Sequence, residues 1–387
     1  LVMYVFYYYL LYLVLAILSI FRKKSHKILL IQTAKIGDYA NSSVVFDLAS
    51  KNAPFDIVLD KINLAFSAND ERIGRVFLIN DYKKGLKKFL LAFKIYKNNY
   101  QKIYVLMPNN YNLFLAKCAF ASEVFSISHY KNSSAFVLLS RGIKLINHTK
   151  NDLSLLTYLK MFNADLTNFK QCINQAQNLA KNSKDFFISS VNLPYKKCLQ
   201  KPVLIPQNLL SLDEKAFKIG ISLSAGNKIK TISKQSWEQI FKILKEFNGV
   251  KIYIFGVGDE LKYLQNINTS GLELVCLINK IPLNELAFYI GKMQAYISSD
   301  TGNYYIADTM NVPSICFMGP CFCAEQRGVN NSLVLKSNLA PFTAVFDTIY
   351  KRDASEYFKL NNAQIKAIKD FLSSLMINFK IPQSSQH

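Results

Sequence analysis

Acidic residues are scarce in this chain of 387 residues, which has 26 aspartates and glutamates against 47 lysines and arginines. The resulting formal net charge of +21 favours an anionic partner, such as nucleic acid, acidic lipid or a phosphorylated substrate. The sequence contains neither the spacing of a zinc finger nor an RNA-recognition signature, and its lysines are dispersed. We therefore expect a lipid surface and a phosphorylated substrate as partners, and no nucleic acid.

The cysteines and histidines are too few and too irregularly spaced to predict a disulfide scaffold or a metal site. The seven cysteines are odd in number and lack regular spacing, which argues against a disulfide scaffold and is typical of a reducing compartment. The closest pair is Cys321 and Cys323, and no second pair of matching spacing accompanies it. With four histidines in the chain, we predict no metal site there.

The triplet that aspartic proteases use, Asp-Thr-Gly, occurs once, at residues 300–302. A protease needs two such carboxylates to share a proton. The residues after Gly302 have apolar side chains at helical spacing, where a protease continues as a β-loop. We interpret Asp300 and Thr301 as helix caps between a buried strand and a helix, a turn that attracts anions such as a diphosphate. The alternative is an ordinary β–α turn.

The N-terminal run of residues 1–20 contains no charged side chain and is long enough to cross a bilayer. Basic residues follow it at Arg22, Lys23, Lys24 and Lys27, the reverse of the order in a cleavable signal peptide. This order favours a main body on the cytoplasmic side of the membrane. Because the run is rich in tyrosine, we predict a hydrophobic segment over residues 1–21 that either spans the bilayer or lies in its interface. The alternative is a buried N-terminal extension.

Short buried strands alternate with helical segments between Lys27 and Leu106, and the alternation restarts at Phe217. Such a β/α alternation predicts parallel sheets with helices on both faces. Residues 107–205 have a looser pattern, and Pro194, Pro202 and Pro206 punctuate a polar link. We predict an N-terminal domain over 27–205, a C-terminal domain over 206–345, and a final helix and tail over 346–387.

Polar and small residues follow three of the predicted strands. Gly37-Asp38 follows the first of these strands. A second strand, which begins at Phe217, is followed by Ser224-Ala225-Gly226 and then by Lys228 and Lys230. The third loop contains Gly256-x-Gly258 but has Leu261 where a dinucleotide fingerprint has its third glycine. This partial fingerprint motivates an alternative, a nucleotide-dependent oxidoreductase.

Taken in order with the Asp-Thr-Gly turn, these loops resemble glycosyltransferase family 9, the lipopolysaccharide heptosyltransferases. The resemblance extends from Lys27 to about Gly328, and its most specific part is residues 300–302 with the segment Pro313 to Pro320. It implies a GT-B fold, in which two Rossmann-like domains with parallel sheets face each other across a cleft. It also implies an inverting transfer of heptose from ADP-heptose to a phosphorylated lipopolysaccharide core glycolipid at the cytoplasmic face of the inner membrane.

The resemblance also implies functions for individual residues. Asp38 resembles the general base, and Lys230 resembles the cation that faces the leaving diphosphate. The other residues that the resemblance places at the nucleotide-sugar donor are Ser224, Glu260, Asp300, Thr301 and Gly302. No cofactor is implied and, since the chain contains no Asp-x-Asp, no metal.

The chain departs from the family pattern at four places. Because of these departures, a non-catalytic member of the family is an alternative to an active transferase. Those places are Leu223-Ser224, Ile232-Ser233, Tyr305 and Cys321-Phe322-Cys323.

Overall fold

The computed structural model describes residues 2–20, 22 and 25–379, with side chains described from residue 9 onward. Lys23 and Lys24 of the predicted basic flank, and residues 380–387 of the predicted tail, lie outside the described residues. The chain forms two compact units. The first comprises Leu1–Asp165 with Lys197–Pro202, and the second comprises Leu166–Lys196 with Val203–His387.

The first unit contains a six-stranded parallel sheet in the order β3-β2-β1-β4-β5-β6. Its central strand is buried on both faces, as expected for an apolar run in a parallel sheet, and Leu29, Leu30 and Ile31 are fully buried. The strands are β1 (Ile28–Gln32), β2 (Phe55–Leu59), β3 (Ile73–Leu78), β4 (Lys102–Val105), β5 (Glu123–Ser128) and β6 (Lys144–Asn147).

Within the described part of this unit, eight α-helices accompany the sheet: α1 (Val2–Ser19), α2 (Ile36–Ser42), α3 (Phe46–Ala49), α4 (Leu64–Ser67), α5 (Lys87–Lys97), α6 (Asn110–Cys118), α7 (Ser134–Leu139) and α8 (Ser154–Met161). The sequence predicts one helix from Tyr39 to Lys51, but a 3₁₀ turn separates α2 from α3. Ser42 and Ser43 direct their hydroxyls back to the carbonyls of Tyr39 and Ala40, which competes with regular helical bonding. The looser pattern after residue 106 conceals β5 and β6, whose short runs mix polar with apolar residues.

Helix α1 packs on the first unit through one side. Leu15 is buried in the core shared with α5 and α6, and the ring of Tyr12 stacks on Phe120 at 4.8 Å between centroids. Among the described residues, the helices include none that is both long enough and apolar enough to cross a membrane. The expectation of a spanning helix over residues 1–20 is therefore not confirmed.

The second unit contains a seven-stranded sheet in the order β10-β9-β8-β11-β12-β13-β7. All its pairs are parallel except β13 with β7. The strands are β7 (Phe186–Ser189), β8 (Phe217–Ser222), β9 (Val250–Phe255), β10 (Leu274–Cys276), β11 (Ala295–Ser299), β12 (Ser314–Phe317) and β13 (Ser332–Leu335). The helices are α9 (Lys170–Asn182), α10 (Lys234–Leu244), α11 (Glu260–Gln265), α12 (Leu286–Ile290), α13 (Gly302–Thr309) and α14 (Asn362–Ile377).

The segment 166–196, which the sequence assigns to the N-terminal domain, forms part of the second unit. Its strand β7 completes the sheet edge beside β13, and the buried side chain of Arg327 contacts the segment. Arg327 donates to the Ser189 hydroxyl at 3.0 Å and to the Gln177 side-chain oxygen at 2.6 Å. A buried guanidinium needs hydrogen-bond acceptors. Ser189 and Gln177 supply them from 138 and 150 residues earlier in the chain.

Candidate functional site

Four adjacent strands of the second unit end at one edge of the sheet. Because β9, β8, β11 and β12 are neighbours and parallel, the loops that follow them lie side by side at their carboxyl ends. This is where open α/β sheets bind ligands. The donor-binding residues predicted from the sequence occupy three of these loops or the helix starts that they lead into.

Lys230 and Asp300 form an ion pair at this edge. The Lys230 ammonium donates to Asp300 Oδ2 at 2.6 Å, and the Tyr305 hydroxyl donates to Asp300 Oδ1 at 2.5 Å. Burial opposes ionisation of Asp300, but the Lys230 charge and these two hydrogen bonds outweigh it and hold the pKa of the carboxyl below its usual range. The pair therefore presents a fixed carboxylate and a partly exposed ammonium side by side.

Ser224 and Glu260 form a second contact at the same edge. The Ser224 hydroxyl donates to Glu260 Oε1 at 2.5 Å, while Oε2 is buried without a hydrogen-bond partner among the described residues. Burial raises the pKa of Glu260 to about 7, although the Ser224 hydrogen bond acts in the opposite direction. Gly256 leaves room for the Glu260 carboxyl, because a Cβ at that position meets Glu260 Oε2 at 1.7 Å and would displace the carboxyl from this place.

The Asp-Thr-Gly turn leads into helix α13, as the sequence predicts, but its capping differs. Thr301 is the N-cap and Gly302 is the first helical residue, and the Thr301 side chain makes no capping hydrogen bond. Asp300 precedes the cap, so the prediction that Asp300 caps the helix is wrong. Its carboxylate is directed to Lys230 and Tyr305, because a buried charge gains more from a cation than from a backbone N–H.

Several polar residues at this edge were not predicted from the sequence. The Tyr296 and Ser222 hydroxyls lie 2.6 Å apart, and the Asn303 amide donates to Ser222 at 2.8 Å. Tyr305 also has a site contact, through Asp300. The available signal was Tyr305 itself, which is one of the four departures from the family pattern. Tyr296 and Ser222 lie inside apolar strands, where pattern alone indicates core packing.

In the first unit, Asp38 lies in the first turn of α2, with Lys35 as the N-cap. The helix therefore begins at Ile36 and not at Tyr39, where the sequence placed its start, and Asp38 is not its N-cap. The negative charge of Asp38 is still favoured by the positive end of the helix. The Gln32 side chain, at the end of β1, donates to the Asp38 carbonyl at 3.3 Å and fixes the turn between them.

Other polar residues follow the strands of the first sheet. Asp60, after β2, pairs with Lys35 and Lys83 at 3.7 and 3.3 Å. His129 and His148 follow β5 and β6, and His148 Nδ1 lies 2.8 Å from the Thr157 hydroxyl. The two histidines were missed because their strands were missed. Among the described residues, no group of three or more His, Cys, Asp or Glu side chains has the arrangement of a metal site.

Comparisons with known proteins show the family and the fold of this chain. The family model described as glycosyltransferase family 9 (heptosyltransferase) matches residues 134–343. A search among curated proteins finds no match.

Solved structures are similar in fold. An E. coli ADP-heptose LPS heptosyltransferase II matches with a TM-score of 0.61 at 14% identity, covering 91% of this chain and 99% of its own. A family 9 glycosyl transferase from Veillonella parvula matches with a TM-score of 0.61 at 13% identity, with coverages of 92% and 99%. The E. coli heptosyltransferase WaaC with ADP matches with a TM-score of 0.59 at 14% identity, with coverages of 90% and 99%. The predicted α/β fold with parallel sheets is thus confirmed and resembles that of GT-B heptosyltransferases.

Proposed function

This chain belongs to glycosyltransferase family 9, and we propose that it is an inverting enzyme that transfers heptose from ADP-heptose to a phosphorylated core glycolipid of lipopolysaccharide. The observation that carries the proposal is the meeting of Lys230, Asp300, Ser224 and Glu260 at the carboxyl edge of the second sheet. Two solved structures of similar fold have ADP-heptose and ADP in their names, and this supports ADP-heptose as the proposed donor.

The donor diphosphate binds beside Lys230 in this proposal. The Lys230 side chain is 22% exposed, so a ligand oxygen can share its ammonium with Asp300. The start of α13 at Thr301 and Gly302 adds backbone N–H groups and the positive end of a helix dipole. Fixed positive charge stabilises the diphosphate most when it leaves, which is where negative charge develops in the transition state.

Glu260 contacts the nucleoside part of the donor. With a pKa of about 7, its carboxyl is a hydrogen-bond donor in the protonated form and an acceptor in the ionised form. The hydroxyl of Ser224 holds one oxygen, which orients the other for the ligand. Sugar hydroxyls suit such a group because they both donate and accept.

Asp38 in the first unit takes the proton of the attacking acceptor hydroxyl. Its place in the turn after β1 puts it at the carboxyl edge of the first sheet. An ionised carboxylate there raises the nucleophilicity of the hydroxyl as the bond to the sugar forms. We further propose that the reaction needs no metal ion, because Lys230 and the start of α13 supply the positive charge.

The donor is tested by thermal shift with ADP-, UDP-, GDP- and CMP-sugars, since a ligand that binds the folded state raises the unfolding midpoint. We expect ADP-heptose to give the largest shift. Lys230→Ala should weaken its binding by roughly 10- to 100-fold, because a charge-assisted hydrogen bond is lost. The matched control is Lys228→Ala, which removes the same charge from the same turn at an exposed position.

The same samples distinguish the alternatives. Release of ADP in the presence of a phosphorylated core acceptor supports the transfer reaction. A non-catalytic family member binds the donor without turnover, and an oxidoreductase is stabilised by NAD(P)H but not by ADP-heptose. A shift with another nucleotide sugar that exceeds the ADP-heptose shift contradicts the proposed donor.

We also propose that the enzyme associates with the inner-membrane surface through α1 lying in the interface. Leu13, Val14 and Ile17 are exposed on α1, opposite the packed Leu15. Deleting residues 1–20 is a poor test, because it also removes Leu15 from the core. Ile17→Ser keeps the core intact and should reduce recovery with membranes.

A further inference from the structure

Helix α5 of the first unit has an exposed apolar stripe. Leu86, Leu90 and Phe93 are 77%, 54% and 38% exposed. Their spacing of four and three residues places them on one side of the helix, at its start and along its first two turns. Isolated exposed apolar residues are normal, but three on one helical side are a surface feature.

The opposite side of α5 fixes the helix to the protein body. Leu91, Ala92 and Ile95 are fully buried in the core that α5 shares with α6, and Tyr96 is nearly so. The stripe is therefore held on a rigid support, and its exposure is not the result of a loose helix. A rigid amphipathic helix can present its apolar side to a partner at little cost in conformational entropy.

Positive charge surrounds the stripe. From residue 82 to residue 122 the sequence contains eight lysines and no acidic residue. The lysines of this stretch that are exposed at α5 or immediately before it are Lys83, Lys84, Lys87, Lys94 and Lys97. The acidic neighbours are Asp81, which is exposed, and Asp60, which pairs with Lys83. The net charge of this surface is strongly positive, so its partner is anionic.

We propose that this surface of α5, formed by Leu86, Leu90, Phe93 and the surrounding lysines, docks onto an anionic lipid bilayer. Protein–protein interfaces are depleted in lysine at their centres, whereas lysines beside leucine and phenylalanine are typical of helices that lie in a membrane interface. The lysines contact lipid phosphates while the apolar side chains enter the acyl boundary. The inference rests on the proposed function only in that a glycolipid acceptor requires access to the membrane.

The test uses the full chain and flotation with lipid vesicles. One set is pure phosphatidylcholine and the other contains one third phosphatidylglycerol, each at low salt and at about 1 M salt, where charges are screened within about 3 Å. Lys84→Gln with Lys87→Gln should lower partitioning to the anionic vesicles by about 25-fold at low salt, since each lysine near an anionic surface contributes about fivefold. The charge-matched control is Lys242→Gln with Lys245→Gln, two exposed lysines of the second unit.

The apolar part of the surface has its own pair of variants. Leu86→Ser should lower partitioning by about tenfold at both salt concentrations, because apolar burial is not screened. Its control is Ile377→Ser, at the last residue of α14, where the side chain is 83% exposed. All four variants change exposed side chains, and their unfolding midpoints should equal that of the wild type.

Three outcomes overturn the proposal: the two lysine variants bind alike, Leu86→Ser binds like Ile377→Ser, or the wild type binds both vesicle types equally. The second outcome indicates simple electrostatic adsorption. Failure of the proposed function is recognised separately, because ADP-heptose binding in solution, without vesicles, does not involve α5. An α5 variant that loses vesicle binding but keeps its donor-induced thermal shift supports docking specifically.

Discussion

The ion pair between Lys230 and Asp300 should make a measurable contribution to the stability of the second unit. The two groups are 2.6 Å apart, and their side chains are 22% and 7% exposed. Exposed pairs contribute at most about 1 kcal/mol, whereas removing one partner of a buried pair costs about 3–5 kcal/mol. This pair lies between the two cases, so we expect Lys230→Met to cost about 2–3 kcal/mol near neutral pH.

The expected cost of Lys230→Met arises from the Asp300 carboxylate, which remains buried after its cationic partner is removed. In the wild type, Lys230 and its hydrogen bonds hold the pKa of Asp300 low against the effect of burial. The pair thus contributes stability above the unfolded pKa of the aspartate, and this is lost as the pH falls through the folded pKa. Without Lys230, burial acts with less opposition and raises the pKa of Asp300. The cost of Lys230→Met should therefore shrink as the pH is lowered towards about 4.

A double-mutant cycle isolates the pair. Lys230→Met, Asp300→Asn and the double variant are unfolded in urea and followed by far-UV circular dichroism. Asp300→Asn keeps an acceptor for the Tyr305 hydroxyl, and the double variant has no uncompensated charge. We expect a coupling of about 2 kcal/mol. Additive costs within about 0.5 kcal/mol, or a cost of Lys230→Met that does not change with pH, refute the reasoning.

Three further predictions follow from the site. Asp38→Asn should lower kcat by about 10²–10⁴-fold with little change in donor affinity, and turnover within a few-fold of wild type shows that Asp38 is not the base. Because burial raises the folded pKa of Glu260 to about 7, its contribution to the free energy of unfolding is most favourable below the unfolded pKa and is lost as the pH rises through 7. This loss is at most about 3 kcal/mol. Glu260→Gln should remove it, which is measured by comparing urea unfolding curves at low and high pH. EDTA should leave transfer unchanged, and a loss that Mg²⁺ or Mn²⁺ restores contradicts the proposed metal-free site.

The sequence alone determined the fold class and the positions of the site loops. Runs such as 217–222 and 295–299 are short, consist mainly of apolar and small residues, and are followed by small or acidic residues, so their type and their ends can be recognised from local pattern. In a parallel sheet such ends share one edge, and the resemblance to glycosyltransferase family 9 assigned Ser224, Lys230, Glu260 and Asp300 in the loops at this edge to the nucleotide-sugar donor. The mixed polarity of β5 and β6 weakened the same signal, and His129 and His148 were missed with them.

Only the tertiary structure decided which of these side chains contact each other. Strand order places β8 beside β11 and β9, and so brings Lys230 to Asp300 across 70 residues and Ser224 to Glu260 across 36. It also places β7 at the edge of the second sheet. Local pattern specifies how a segment folds and which face it buries, but the neighbour of a strand is selected by the packing of the whole unit. The pKa values of Asp300 and Glu260 depend on those neighbours and on burial, and so they too are properties of the tertiary structure.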